Sequence, residues 1–190
     1  EIHSSNVIIE YCNFTDLDDG ILLASDSLNA IIRYNNFWNL NGKAIELSNT
    51  DDHYIYNNSL WDCDYGIWIQ NSYNNFVYNN TLQDGDQHGI YLYSNAHNNF
   101  IYTNTVENFT QGIYLYSSVD SNNINNNTVI DCNYGIRFYG ATSNIITYNN
   151  ISDNSQCGIK FDEDSASTYN TITYNDINDN GQYGIYIPYN

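Results

Sequence analysis

The sequence predicts an all-β chain: a right-handed parallel β-helix of about eight coils with about 23 residues per coil, running over residues 1–190 as a single domain. Three observations carry this. A glycine-led element returns along the whole chain at a nearly constant step. A second element, built around an asparagine, precedes it in each coil. Within both elements apolar and polar positions alternate, the period of a strand with one buried face.

The asparagine element is an aliphatic residue, two free positions, Asn, one free position and another apolar residue. Its first apolar position runs Ile9, Ile32, Ile55, Val77, Ile101, Ile124, Ile146, Ile172. Its Asn position runs Asn35, Asn58, Asn80, Asn104, Asn127, Asn149, Asn175, with Cys12 in first place and expected to point inward. The second apolar position runs Phe14, Phe37, Leu60, Leu82, Val106, Val129, Ile151, Ile177. Each piece is too short for a helix, and a unit this small cannot bury its own apolar face. Units must therefore stack, Ile on Ile, at ~4.8 Å per coil.

The glycine element reads Gly20-Ile21-Leu22-Leu23, Ala44-Ile45-Glu46-Leu47 and Gly66-Ile67-Trp68-Ile69, then Gly89-Ile90-Tyr91-Leu92 and Gly112-Ile113-Tyr114-Leu115. It closes with Gly135-Ile136-Arg137-Phe138, Gly158-Ile159-Lys160-Phe161 and Gly184-Ile185-Tyr186-Ile187. A recurrent Gly fits a corner that needs positive φ or close backbone approach. Asn suits a corner for another reason. Its amide both donates and accepts, so Asn above Asn can form a ladder along the stack. A second such column is Asn75, Asn99, Asn122, Asn144, Asn170.

This pattern, N-x-I-x-x-N-x-V followed by G-I-x-L, resembles the repeat of the NosD-like and carbohydrate-binding/sugar-hydrolase β-helix families of archaeal and bacterial surface proteins. The resemblance covers the whole chain. It is specific for fold and poor for function, because such folds host lyases, hydrolases, adhesins and inert envelope proteins.

Composition narrows the partners. Asn is the commonest residue, 35 of 190, beside 20 Tyr, one Pro and no Met. Disordered chains are also Asn-rich, but disorder gives no reason for aliphatic residues at fixed intervals. Acids outnumber bases 22 to 4, a net charge of −18. Nucleic acid and anionic membranes require Lys and Arg, so both are excluded as partners. No stretch is apolar enough for membrane insertion. The charge suits a salty exterior, and the expected location is extracellular, at the cell surface. The chain opens at Glu1 with no initiator Met and no visible leader, which reads as a processed product or a fragment. The end coils lack a capping helix, leaving open strand edges that only Pro188 blunts.

Polysaccharide-cleaving β-helices set acids, or an acid with Arg or Lys, on adjacent coils of one outer face. The pectin-hydrolase pattern also needs Gly-His-Gly and Arg-x-Lys. This chain has Asn49-Thr50-Asp51-Asp52 and His88-Gly89 but neither of those. The one catalytic grouping is Arg137 and Lys160 on successive coils with Asp162, Glu163 and Asp164 close by. As a lyase, Arg or Lys would take a proton from a uronic acid; as plain surface chemistry, the group is a salt bridge. His3, His53, His88 and His97 match no metal-ligand spacing, and the lack of Met argues against a soft copper site. No cofactor is expected apart from Ca²⁺, whose candidates are Asp16, Asp18, Asp19, Asp84 and Asp86 in turns.

Outward aromatics form one column of Trp68, Tyr91 and Tyr114, a neighbour of Tyr93, Tyr116 and Tyr139, and another of Tyr56, Tyr78 and Tyr102. They read either as sheet-stabilising stacks or as an exposed patch for another protomer or for sugar rings. Cys132 and Cys157, on adjacent coils, are the candidate intramolecular disulfide. Cys63 is then left as an exterior thiol for a bond between molecules. Sequons at Asn13, Asn57, Asn79, Asn108, Asn126 and Asn150 would allow glycosylation. The function expected from these features is non-catalytic: a sheath or surface-layer-like envelope protein that assembles with copies of itself or with other envelope proteins. The alternative is a polysaccharide lyase, or a glycan-binding module, acting on acidic polysaccharide.

Overall fold

The computed structural model describes residues 1–25, 27–163 and 166–188. Its 22 strands form a parallel β-helix. An eight-stranded sheet takes one strand from each coil, from Ile8–Glu10 to Thr171–Thr173. A fourteen-stranded sheet carries the rest and bends round two further sides, with every strand pairing among the described residues parallel.

The registers are those of the repeat. Ile55, Val77, Ile101 and Ile124 are successive partners, as are Leu60, Leu82, Val106 and Val129. Ile67, Ile90, Ile113, Ile136 and Ile159 form a third column, and Ile69, Leu92, Leu115 and Phe138 a fourth. From Leu23 to Ile159 almost all of these side chains are buried, so the core is one apolar cylinder.

The asparagines form ladders down its corners. Asn80 donates from both its backbone N–H and its Nδ2 to Oδ1 of Asn104, each at 3.0 Å. Asn104 repeats this on Asn127 at 2.9 and 3.0 Å, and its Nδ2 also reaches the Val77 carbonyl at 2.9 Å. A second ladder runs Asn75, Asn99, Asn122, Asn144, Asn170. These ladders answer the hydrogen-bonding needs of buried corners without water. Asn and Asp serve the corners in another way, since many adopt left-handed φ, among them the sequon residues Asn57, Asn79 and Asn126 at 55°, 53° and 53°.

Two expectations need correction. Cys12 is exposed rather than enclosed: it keeps the ladder position, its backbone N–H donating to Asn35 Oδ1 and its Sγ 3.3 Å from the Glu10 carbonyl oxygen, but it lies on the outermost coil, where neighbouring Asn13 is exposed as well. The motif glycines do not have positive φ, which among glycines belongs to Gly140. They allow close approach instead: a Cβ on Gly112 would press on Val129 Cγ1 and sit 2.7 Å from the Gly135 carbonyl oxygen.

Candidate functional site

The strands that carry the glycine element present three columns to the outside. One runs Lys43, Tyr65, His88, Gln111, Tyr134, Cys157; the middle one runs Glu46, Trp68, Tyr91, Tyr114, Arg137, Lys160; the third runs Gln70, Tyr93, Tyr116, Tyr139. The result is a continuous aromatic surface with cations at both ends. Trp68 meets Tyr91 edge-on at 4.5 Å, and Tyr116 stacks on Tyr139 at 4.6 Å. Lys43 lies 4.4 Å over Trp68, Arg137 5.1 Å over Tyr114, and Lys160 4.8 Å over Tyr134. Such contacts hold a cation beside rings even where it is partly desolvated.

Arg137 and Lys160 come together as the sequence suggests. Arg137 grips Asp162 with Nε at 2.9 Å and Nη2 at 3.0 Å, and Lys160 Nζ lies 3.5 Å from the same carboxylate. Lys43 pairs with Glu46 at 2.8 Å. Glu163 lines a cleft of about 290 Å³ with Arg137, Tyr139, Lys160 and Asp162. A second cleft of about 270 Å³ opens on the other side of Lys160, against Tyr134, Cys157, Tyr183 and Tyr186. Asp164 lies outside the described residues.

The aromatic patch is not exposed throughout. Tyr91 and Tyr114 are each 7% exposed, because their rings pack on one another, on His88 and on Arg137. Trp68, Tyr93, Tyr116 and Tyr139 are half-buried and form the accessible layer. Burial raises the Tyr91 hydroxyl well above its ordinary pKa and pushes Tyr114 up to about 12, so both stay protonated. Burial also lowers His88, whose Nδ1, like Oε1 of Gln111 in register beside it, is buried without a partner. Burial is the strongest single influence on Arg137 and opposes its charge, but the hydrogen bonds to Asp162 together with the charge interactions with Tyr114, Asp162 and Tyr134 outweigh it and leave the guanidinium more firmly protonated. The face therefore carries neutral hydroxyls and cations that are each paired with a carboxylate, Lys43 with Glu46 and both Arg137 and Lys160 with Asp162.

The cysteines sit elsewhere than expected. All four are free thiols. Cys63 pairs with Leu40, and Cys132 donates its backbone N–H to Asn154 Oδ1; both side chains are 1% exposed, inside the helix. Cys157 belongs to an outward column beneath Tyr134. The Cys132–Cys157 disulfide is not formed, since the sheet wall separates the two, and Cys63 is no exterior thiol. Leu40 and Phe109, at the matching place in their coils, are the sequence signal that this column faces in. Sequence reading also passed over Trp38 and Trp61, which are 62% and 52% exposed.

Among the described residues no three His, Cys, Asp or Glu groups come together as a metal site. Of the Ca²⁺ candidates, Asp16 accepts from Asn39 Nδ2, Asp84 from Asn108 Nδ2 and Asp19 from the Lys43 N–H. Asp18 and Asp86 do not complete a ligand set with them.

A family model described as a right handed beta helix region matches residues 2–129. The chain belongs to the right-handed β-helix family. A second model, for the periplasmic copper-binding protein NosD, matches residues 87–190 of this β-helix. Among curated proteins a sequence search finds no match. Similar solved structures include two mutant forms of the periplasmic alginate epimerase AlgG. One has a TM-score of 0.78 and 16% identity over 91% of this chain and 46% of that one. The other has a TM-score of 0.60 and 16% identity over 94% and 59%. The β-helix thus spans about half the length of these proteins and shares their fold. Copper, which the NosD description implies, does not suit the side chains here. His53 is tied into a ladder by the Ala30 N–H and Thr50, His97 pairs with Asp120, and the buried thiols lie in separate coils.

Proposed function

We propose that this β-helix binds an acidic polysaccharide, a chain of uronic acid units, along its tyrosine face. One observation carries the reading. Three of the four basic residues in a chain of net charge −18 converge on a single aromatic surface. Sugar rings would lie on Tyr93, Tyr116, Tyr139 and Trp68, and carboxylates would meet Arg137 and Lys160. Asp162 holds both cations in place before the ligand arrives, which lowers the ordering cost of binding. The fold shared with AlgG supports a polysaccharide ligand, and the NosD description supports a location outside the cytoplasm. Among the described residues no helix is long and apolar enough to cross a membrane.

Binding suits this face better than cleavage. Proton abstraction from a uronate needs a base aimed at the sugar. Here the buried hydroxyls stay protonated, Arg137 stays charged, and the His88 Nδ1 is covered. The self-assembling envelope protein loses two supports, the exterior Cys63 and the fully exposed Trp68–Tyr91–Tyr114 patch.

Native gel electrophoresis through alginate or polygalacturonate tests the proposal. The protein should be retarded, and Arg137→Gln with Lys160→Gln should weaken retention about tenfold while the fold persists. Migration unchanged by either polyanion would refute it. Release of unsaturated uronates, lost in Arg137→Gln, would instead make the chain a lyase.

A further inference from the structure

Trp38 and Trp61 stand on a different side of the helix. They are register partners on adjacent coils, preceded by Thr15 and followed by Gln83 in the same outward column. The corner carrying Asn39 and Asp62 separates them from the tyrosine face. Elsewhere on the exterior, rings one coil apart pack on one another, many as near-parallel stacks such as Tyr54 with Phe76 at 5.1 Å and Tyr56 with Tyr78 at 4.7 Å, others edge-on as Trp68 with Tyr91. Those pairs spend their faces on one another and steady the sheet. Neither Trp38 nor Trp61 stacks on any ring among the described residues, and neither indole N–H has a protein acceptor there. Two large indoles, 62% and 52% exposed, are thus left with open faces and free donors.

They border an open cleft of about 490 Å³ that is also lined by the polar Asn13, Thr15, Asn36 and Ser59 and by Phe37. The Asn36 Nδ2 donates to Asn13 Oδ1 at 2.9 Å, which fixes both amides and leaves further donor and acceptor capacity toward the cleft. A flat apolar surface beside a few oriented amides and hydroxyls is what a sugar ring needs, since its C–H face packs on an indole while its hydroxyls find partners at the rim. Charge selects among sugars. Asp16 lines a neighbouring cleft against Trp38 and Asn39, Asp62 follows Trp61 directly, and no base adjoins the pair. This surroundings repels a uronate, and it repels a second copy of so acidic a chain.

We infer that Trp38 and Trp61 form a second carbohydrate site, which takes uncharged pyranose rings. This goes beyond the uronate reading and stands without it. The chain then presents two faces of unlike specificity, one for charged and one for neutral sugar.

The test uses the whole chain in native gels containing soluble neutral polysaccharides: hydroxyethylcellulose, glucomannan, xyloglucan and starch. Wild type should be retarded by at least one of them with a blue shift of tryptophan emission. Trp38→Ala with Trp61→Ala should lose that retention at least tenfold at an unchanged melting temperature, while Tyr93→Ala with Tyr116→Ala keeps it. The inference is overturned if none of the four retards the protein or if the double tryptophan variant still binds. It is overturned equally if that variant loses alginate binding instead, or if its effect is to abolish a concentration-dependent dimer.

Discussion

At the scale of single residues, the buried polar positions decide most. Asn104 supplies the acceptor for two donors of Asn80 and donates to Val77 and Asn127. Asn104→Ala strands these groups inside the cylinder and should cost about 2–4 kcal/mol in denaturant unfolding, since each buried unpaired group costs roughly 1–3. His53 occupies the place of an Asn at the head of the second ladder. Its Nδ1 accepts from the Ala30 N–H at 3.0 Å, so Nδ1 cannot carry a proton, and Nε2 bonds Thr50. Burial lowers its pKa to about 4. The unfolded chain therefore takes up a proton near pH 6.5 that the folded chain refuses until about pH 4. Stability from this group is intact above pH 6.5 and declines as the pH falls toward 4, by about 2–3 kcal/mol. His53→Asn keeps the ladder and should flatten that part of the pH curve. Parallel stability curves for the two proteins would show that His53 is not the cause.

At the scale of strands and corners, close approach between coils sets what is tolerated. Gly112→Ala would force the Gly135 carbonyl and Val129 to move and should destabilise by about 1–3 kcal/mol, the usual effect of overpacking. Ala44 shows that one coil has accommodated the same change within the core. The repeat was the legible part of this chain, because stacking places like on like and a constant step reveals it directly. Side-chain alternation told inward from outward for Ile113 and Tyr114. It could not tell that Tyr91 and Tyr114 shield each other, since burial on an outer face comes from lateral neighbours rather than from strand period. Cys63 and Cys132 were misplaced because position relative to the Gly locates a corner but not its inner or outer side. Lys43 joined the site unnoticed, because its closeness to Trp68 depends on register across a bulge between Leu40 and Lys43.

At the scale of the molecule, a net charge of −18 sits on a rod whose cohesion is apolar and amide-based. Self-repulsion opposes the compact state, and salt screens it. The melting temperature should therefore rise between low ionic strength and about 0.5 M NaCl, where the Debye length falls below ~5 Å. A flat response would mean that the acids are already neutralised by their neighbours. The same balance separates the proposed site from the surface as a whole. Acid repels polyanion over the whole rod, while Lys43, Arg137 and Lys160 attract it at one face.

The affinity of an oligouronate of six or so units, titrated calorimetrically from about 0.1 to 0.5 M NaCl, reads which of these prevails. Above ~0.1 M the general repulsion is largely screened, so local cations predict an affinity that falls as salt rises and that drops about tenfold in Arg137→Gln with Lys160→Gln. An affinity that grows with salt, or that the double variant retains, would contradict the tyrosine face as the seat of binding.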